Sequence, residues 1–271
     1  MNDKLISFKN RYLIIVLASV LISIIFSSCS SSDLTKSLSA EDRFEIGKTK
    51  FDDEDYLEAI NEFEIIKIQF PGSAVADDAQ YYLAECRSKK EEYLLAAVEY
   101  QELKNNMPAS PLVPMAQYKI GLCYYTLSPK SSLDQQYTRR AIDEFQAFIE
   151  YYPKDEMVTD ASAKIKELNE RLAKKLYDSA ELYVKLEYYK AATIYYNSII
   201  EKYHDTKYGE LAYIGKAKSF ISRNKLGDAK KEIDKFMEKY PNSGLIKEAE
   251  TLQREIDERL RNEPSAIGVK N

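Results

Sequence analysis

The chain has no tryptophan and one histidine, His204, in 271 residues. A single histidine supplies neither a triad with its own base nor a histidine-rich metal site. Glycine and proline number only 8 each, which leaves no glycine-rich phosphate loop and argues against a strand-and-turn fold. The three cysteines, Cys29, Cys86 and Cys123, are too few for a disulfide framework. Basic clusters are missing too. Lysine and arginine are spread along the chain and the net charge is −5, so a phosphate backbone would be repelled and nucleic acid is not an expected partner. The acidic run Asp52-Asp53-Glu54-Asp55 lacks the glycine and distal glutamate of a calcium loop and reads as a solvated turn. Carboxylates are abundant but lie on exposed helix faces without a shared cleft. The expectation is a protein that is not an enzyme and carries no cofactor and no metal.

What is present is a helical composition: 45% hydrophobic and 31% charged residues, with 22 tyrosines. One segment stands apart. Lys4, Lys9 and Arg11 precede the uncharged apolar stretch 12–26, YLIIVLASVLISIIF. Fifteen apolar residues are short of the ~20 that span a bilayer and suit the core of a signal peptide. Ser27 and Ser28 follow, then Cys29. Residues 1–28 therefore read as a signal peptide, whose removal takes the net charge from −5 to −7 with the loss of Asp3, Lys4, Lys9 and Arg11. The residues alone also allow an ordinary secretory signal or a short anchor with an incidental cysteine. Small residues before a cysteine at that place resemble a bacterial lipobox, although Phe26 and Ser28 stand where the box prefers leucine and glycine or alanine. The resemblance implies lipidation of Cys29, with 29–39 as a serine-rich tether. Two or three acyl chains would anchor it stably where one would not. Ser30 after the cysteine resembles the sorting pattern for the outer membrane.

The rest is a repeat. AINEFEIIKIQFPGS (59–73), AAVEYQELKNNMPAS (96–110), AIDEFQAFIEYYPKD (141–155), AATIYYNSIIEKYHDT (191–206) and AKKEIDKFMEKYPNS (229–243) share alanine, an aromatic or aliphatic residue four later, and proline or His204 twelve later. Upstream, Gly47, Ala84, Ala180 and Ala217 precede the alanine by twelve, and Gly121 by twenty, because eight extra residues fall within 128–138. These columns resemble the tetratricopeptide pattern, in which small residues let helix A and helix B of a hairpin approach and the aromatic fills the gap to the next repeat. The predicted fold is all-α: a solenoid of five helix hairpins. No glycine or proline falls between 154 and 208, and the spacing from Pro153 to His204, 51 residues, exceeds the regular spacing of 37 by fourteen. The surplus, ~21 Å of helix, predicts one long helix starting near 157. It would join repeats 1–3 (40–156) to repeats 4–5 (157–260), with 261–271 as a disordered tail.

A lipobox, a short tether and five such repeats resemble the BamD family of lipoproteins, which serve the assembly of outer membrane β-barrels. The stretches that carry the resemblance best are ERLAKKLYDSAELYVKLEYYKAATIYYNSIIEKYHDT (170–206) and LDQQYTRRAIDEF (133–145). Membership would imply an outer-membrane, lipid-anchored protein on the periplasmic face. Repeats 1–3 would receive unfolded barrel precursors and repeats 4–5 would dock the barrel-forming subunit. The alternative is another envelope lipoprotein of the same fold, a scaffold in cell-wall or division coordination.

Three residues before each small residue lie Phe44, Tyr81, Tyr118, Tyr177 and Ile214, and Tyr125 sits one turn after Gly121. This column either packs A helix on A helix or lines a groove for an extended peptide. Within the receiving half, Tyr81, Tyr118, Tyr125 and Phe44 are the candidates for that groove. Cys86 and Cys123 are equivalent positions of adjacent repeats. Neighbouring helices there lie ~8–10 Å apart, beyond the ~7 Å reach of a disulfide, so two free thiols are expected.

Overall fold

The computed structural model describes residues 38–262. The signal segment, Cys29, most of the tether and 263–271 lie outside the described residues. Among the described residues there are eleven helices and no strand. They are α1 (Ala40–Asp52), α2 (Tyr56–Gln69), α3 (Ala76–Lys89), α4 (Tyr93–Asn106), α5 (Val113–Leu127), α6 (Gln136–Tyr151), α7 (Val158–Lys185), α8 (Tyr189–Lys202), α9 (Lys207–Ser222), α10 (Leu226–Lys239) and α11 (Ile246–Asn262). No helix among them is long and apolar enough to cross a membrane.

Consecutive pairs from α1/α2 to α9/α10 are the five hairpins, in the register that the small and aromatic columns set. Where the first column is glycine, the aromatic presses on it. A Cβ on Gly47 would lie 2.7 Å from the Phe63 ring, and one on Gly121 would lie 2.7 Å from the Phe145 ring. Four A-to-B turns close with a residue of positive φ, Glu54, Glu91, Glu187 and Asn224. The next amide then reaches back five residues, as Glu92 to the Arg87 carbonyl and Tyr188 to the Tyr183 carbonyl do, at 2.9 Å each. That closure satisfies the last carbonyls of each A helix. The acidic and lysine-rich runs near 52–55 and 89–92 are these turns.

The core is serial rather than central. Each hairpin is sealed by the A helix of the next one: Ala59, Phe63 and Ile66 pack with Leu83 of α3, and Tyr100 and Leu103 pack with Ile120 of α5. The last hairpin is sealed by Ala249, Leu252 and Ile256 of α11. α11 is thus an eleventh helix beyond the five expected hairpins. It covers an apolar face that no sixth repeat would cover. It also runs to Asn262, two residues into the segment read as the tail.

α7 is the long helix, 28 residues or ~42 Å. Its first half, with Ala161 and Leu168, seals the hairpin α5/α6. Its second half, with Ala173 and Ala180, is itself the A helix of the hairpin with α8. One helix thereby does two jobs that elsewhere need separate elements. Arg171 and Lys175 hold the eight-residue insertion against it. Arg171 donates to the Ser128 carbonyl at 2.8 Å and to Ser128 Oγ at 2.7 Å, and Lys175 to the Leu133 carbonyl at 2.7 Å.

His204 occupies an exposed turn in the proline column. α9 begins three residues after it, whereas α3, α5, α7 and α11 begin five after the corresponding proline. Gly209 makes the tighter junction feasible: a Cβ there would lie 2.6 Å from the His204 carbonyl oxygen.

Candidate functional site

Neighbouring A helices touch, α1 with α3, α5 with α7 and α7 with α9, while pairs of B helices make at most marginal contact. The stack therefore bends toward the A helices, and they line its concave face. The predicted aromatic column lies on these A helices, and each of its rings also packs within its own hairpin. Phe44 meets Phe63 at 5.9 Å, Tyr81 meets Tyr100 at 5.7 Å, Tyr118 meets Phe145 at 5.7 Å and Tyr177 meets Tyr196 at 5.9 Å, centroid to centroid. Phe44 also meets Tyr82 of α3 at 5.9 Å and Tyr177 meets Tyr208 of α9 at 5.5 Å, so the column staples A to B within repeats 1–4 and also packs A helix on A helix, the structural option anticipated.

The four groove candidates differ in what remains free. Tyr118 is 8% exposed, and its hydroxyl donates to Asp160 of α7. Burial, reinforced by that bond, raises its pKa. Tyr125 is half-buried beside it; its hydroxyl donates to Glu167, and the Lys164 ammonium lies 4.7 Å from its ring centre. Both therefore dock α7 onto repeat 3. Phe44 and Tyr81 remain half-buried. Each also touches Tyr82, at 5.9 Å and 5.8 Å, a ring that the column argument passed over. Phe44, Tyr81 and Tyr82 form the aromatic part of the concave wall in the N-terminal half.

A second arrangement repeats along the chain. Where the column aromatic is tyrosine, the residue after the small one is glutamate. Tyr100 donates to Glu85 and Tyr196 donates to Glu181. Burial together with the adjacent carboxylate raises both phenol pKa values. A third arrangement ties the two helices of a repeat together. Arg43 reaches Glu62 at 2.8 Å, Gln80 reaches Glu99 at 2.8 Å and Gln117 reaches Glu144 at 2.7 Å, at equivalent positions of repeats 1, 2 and 3. Burying an amide such as Gln80 or Gln117 is costly unless it is bonded, and both also donate to a backbone carbonyl.

Cys86 and Cys123 are buried free thiols. Burial, with Glu85 nearby, pushes both up to about 12.

In the C-terminal half the concave seam between α7 and α9 holds a cavity of about 210 Å³. Its walls include Tyr177, Glu181, Tyr189, Gly215, Lys218 and Glu248. The sequence reading did not single it out.

In comparison with protein families, the chain matches the model described as YfiO, outer membrane lipoprotein, over residues 36–223. Among solved structures it is similar to the TPR2AB domain of yeast Sti1 in complex with pHSP90, at 16% identity over 82% of this chain and 84% of that one, TM-score 0.43. It is similar also to the TPR domain of P58(IPK), at 18% identity over 84% and 62%, TM-score 0.41. A third likeness is to apo RapI, at 16% identity over 96% of both chains, TM-score 0.35. No curated protein matches.

Proposed function

The chain belongs to the YfiO family of outer membrane lipoproteins, and from that premise we propose that it is a protein-binding subunit of the machinery that assembles β-barrels in the outer membrane. In this reading Cys29 carries the lipid anchor and the solenoid stands on the periplasmic face. Repeats 1–3 take up unfolded barrel precursors along the concave wall, with Phe44 and Tyr81 as aromatic contacts for an extended segment. Tyr118 and Tyr125 act behind them by fixing α7. Repeats 4–5 dock the barrel-forming subunit. The work is binding, with no chemical step.

The observation that carries this reading is the family match across repeats 1–4 and all of α9. The two stretches that resemble BamD most closely also touch one another, since Arg171 and Lys175 hold the 128–135 loop. Half-buried tyrosine suits a peptide-receiving wall, because it offers large contact area with only two rotatable bonds.

The test is a mild-detergent pull-down of the full-length protein from its own envelope, followed by mass spectrometry. A large outer-membrane barrel with repeated periplasmic domains as main partner supports the proposal, and truncation of 157–260 should then abolish its capture. Peptidoglycan-associated or division proteins in its place would favour the scaffold alternative and refute the barrel-assembly reading.

A further inference from the structure

The repeat carries its own template for what belongs in the C-terminal cavity. In repeat 2, Glu85 accepts from Tyr100 and is neutralised by Lys119, whose ammonium lies 2.7 Å away. Lys119 stands two residues before Gly121, the small residue of the following repeat. In repeat 4, Glu181 accepts from Tyr196 in the same way. Two residues before Ala217, the small residue of the following repeat, stands Gly215. The lysine is absent, and the space beside Glu181 and Gly215 is the cavity.

The charge balance of the walls agrees. The ionisable groups other than tyrosine are Glu181, Lys218 and Glu248. Lys218 is taken by Glu248 at 2.6 Å, so Glu181 is left without a cation. Tyr177 and Tyr189 supply aromatic surface beside it, and Tyr189 has no hydrogen-bond or ring partner among the described residues. A carboxylate short of a cation, next to tyrosine rings and partly shielded from water, is a binding chemistry for an ammonium or guanidinium group. The volume of about 210 Å³ is far above the ~10–15 Å³ that one water needs.

We propose that the cavity between α7, α9 and α11 receives one cationic side chain, lysine or arginine, from an extended segment of a protein partner, and that this side chain takes the place on Glu181 that Lys119 takes on Glu85. A chain running past α7 and α9 would drop a single side chain between them. The proposal rests on the comparison of repeats and not on the barrel-assembly reading, so a failed envelope pull-down leaves it standing.

The experiment titrates the full-length protein in mild detergent with acetyl-Gly-Lys-Gly-amide, read by saturation-transfer NMR, and repeats it with norleucine for lysine. Norleucine keeps the alkyl chain and removes the charge. The lysine peptide should bind in the millimolar range and the norleucine peptide about tenfold more weakly, the loss of one charge-assisted contact. Glu181→Gln should weaken the lysine peptide by a similar factor. It keeps an acceptor for Tyr196, and thermal melting checks its fold. Lys218 is exposed, so Lys218→Ala threatens the fold little. By freeing Glu248 it should tighten the lysine peptide several-fold. Equal binding of the two peptides, no binding of either, or weaker binding in Lys218→Ala would each overturn the proposal.

Discussion

Removing Arg171 tests whether the insertion of repeat 3 is a clasp or merely a loop. The guanidinium makes short bonds to the Ser128 carbonyl and Oγ, 2.8 and 2.7 Å, a longer one of 3.4 Å to the Pro129 carbonyl, and a pair with Glu167 at 2.9 Å. A hydrogen bond to a charged group contributes about 1.5–3 kcal/mol. The pair with Glu167 is one helical turn long and adds only about 0.3–0.5 kcal/mol. The Arg171 side chain is 24% exposed, so water recovers part of what the loop carbonyls lose. Arg171→Ala should therefore cost about 2 kcal/mol, toward the lower end of the range. Ser128→Ala removes the hydroxyl acceptor and also its 2.6 Å hydrogen bond with buried Thr138, and should cost about 1–1.5 kcal/mol. The double variant should fall short of the sum, because the two groups share one contact. A solenoid can open repeat by repeat, so urea midpoints need a local companion: amide hydrogen exchange across 128–135 and the facing part of α7. Both should speed up in Arg171→Ala. A loss below about 0.5 kcal/mol, with unchanged exchange in that segment, would refute the clasp.

Other outcomes follow from single contacts. Gly209→Ala must push against the His204 backbone, 2.6 Å from the new carbon. An overpacking cost of about 1–3 kcal/mol should outweigh the ~1 kcal/mol gain in helix propensity and lower the melting temperature. Gly227→Ala meets nothing within 4 Å and should leave it unchanged or raise it. Glu187 has φ 61° where glycine is at ease, so Glu187→Gly should stabilise by up to ~1 kcal/mol. Asn224→Gly should gain less, since asparagine already tolerates that region. Cys86 and Cys123 should resist iodoacetamide at pH 8 in the folded protein and react after unfolding, mapped by peptide mass. Their thiols ionise near 8.5 when unfolded but are held up to about 12 in the fold. The fold thus favours the neutral thiol. Its contribution is intact below pH ~8.5 and is lost above it, at up to ~1.4 kcal/mol per pH unit per thiol, which urea melts from pH 8 to 10.5 would show.

Much of the architecture was legible because tetratricopeptide packing leaves marks at fixed offsets. The two small-residue columns are direct consequences of close helix contact and could be read before any coordinates; the aromatic was expected to fill the gap to the next repeat, and the structure also presses Phe63 on Gly47 and Phe145 on Gly121 within one repeat. The 28-residue α7 was legible from an absence, the missing glycine and proline between 154 and 208. α11 was not, because a sealing helix needs only a moderately apolar face and repeats none of the columns. The groove candidates were half legible. Their offset put them on A helices, and A helices do line the concave face. The offset could not tell that each ring also packs inside its own hairpin, nor that Tyr118 and Tyr125 would be tied to Asp160 and Glu167, forty-two residues downstream.

The cavity shows a different kind of illegibility. Its walls come from α7, α8, α9 and α11, and only Tyr177 and Ile214 among them share the groove column, so no motif announces the set. The signal that was there is a mismatch between repeats. Repeats 2 and 4 agree on alanine, glutamate and tyrosine at three offsets, and the lysine that completes the set in repeat 2 is glycine after repeat 4. A repeat that keeps the half-buried acid and its tyrosine donor but drops the cation has kept the costly half of an ion pair. An uncompensated carboxylate in a partly shielded site is destabilising unless something else meets it. Such a departure, judged against the chain's own other repeats, points to a place where the missing group comes from another molecule.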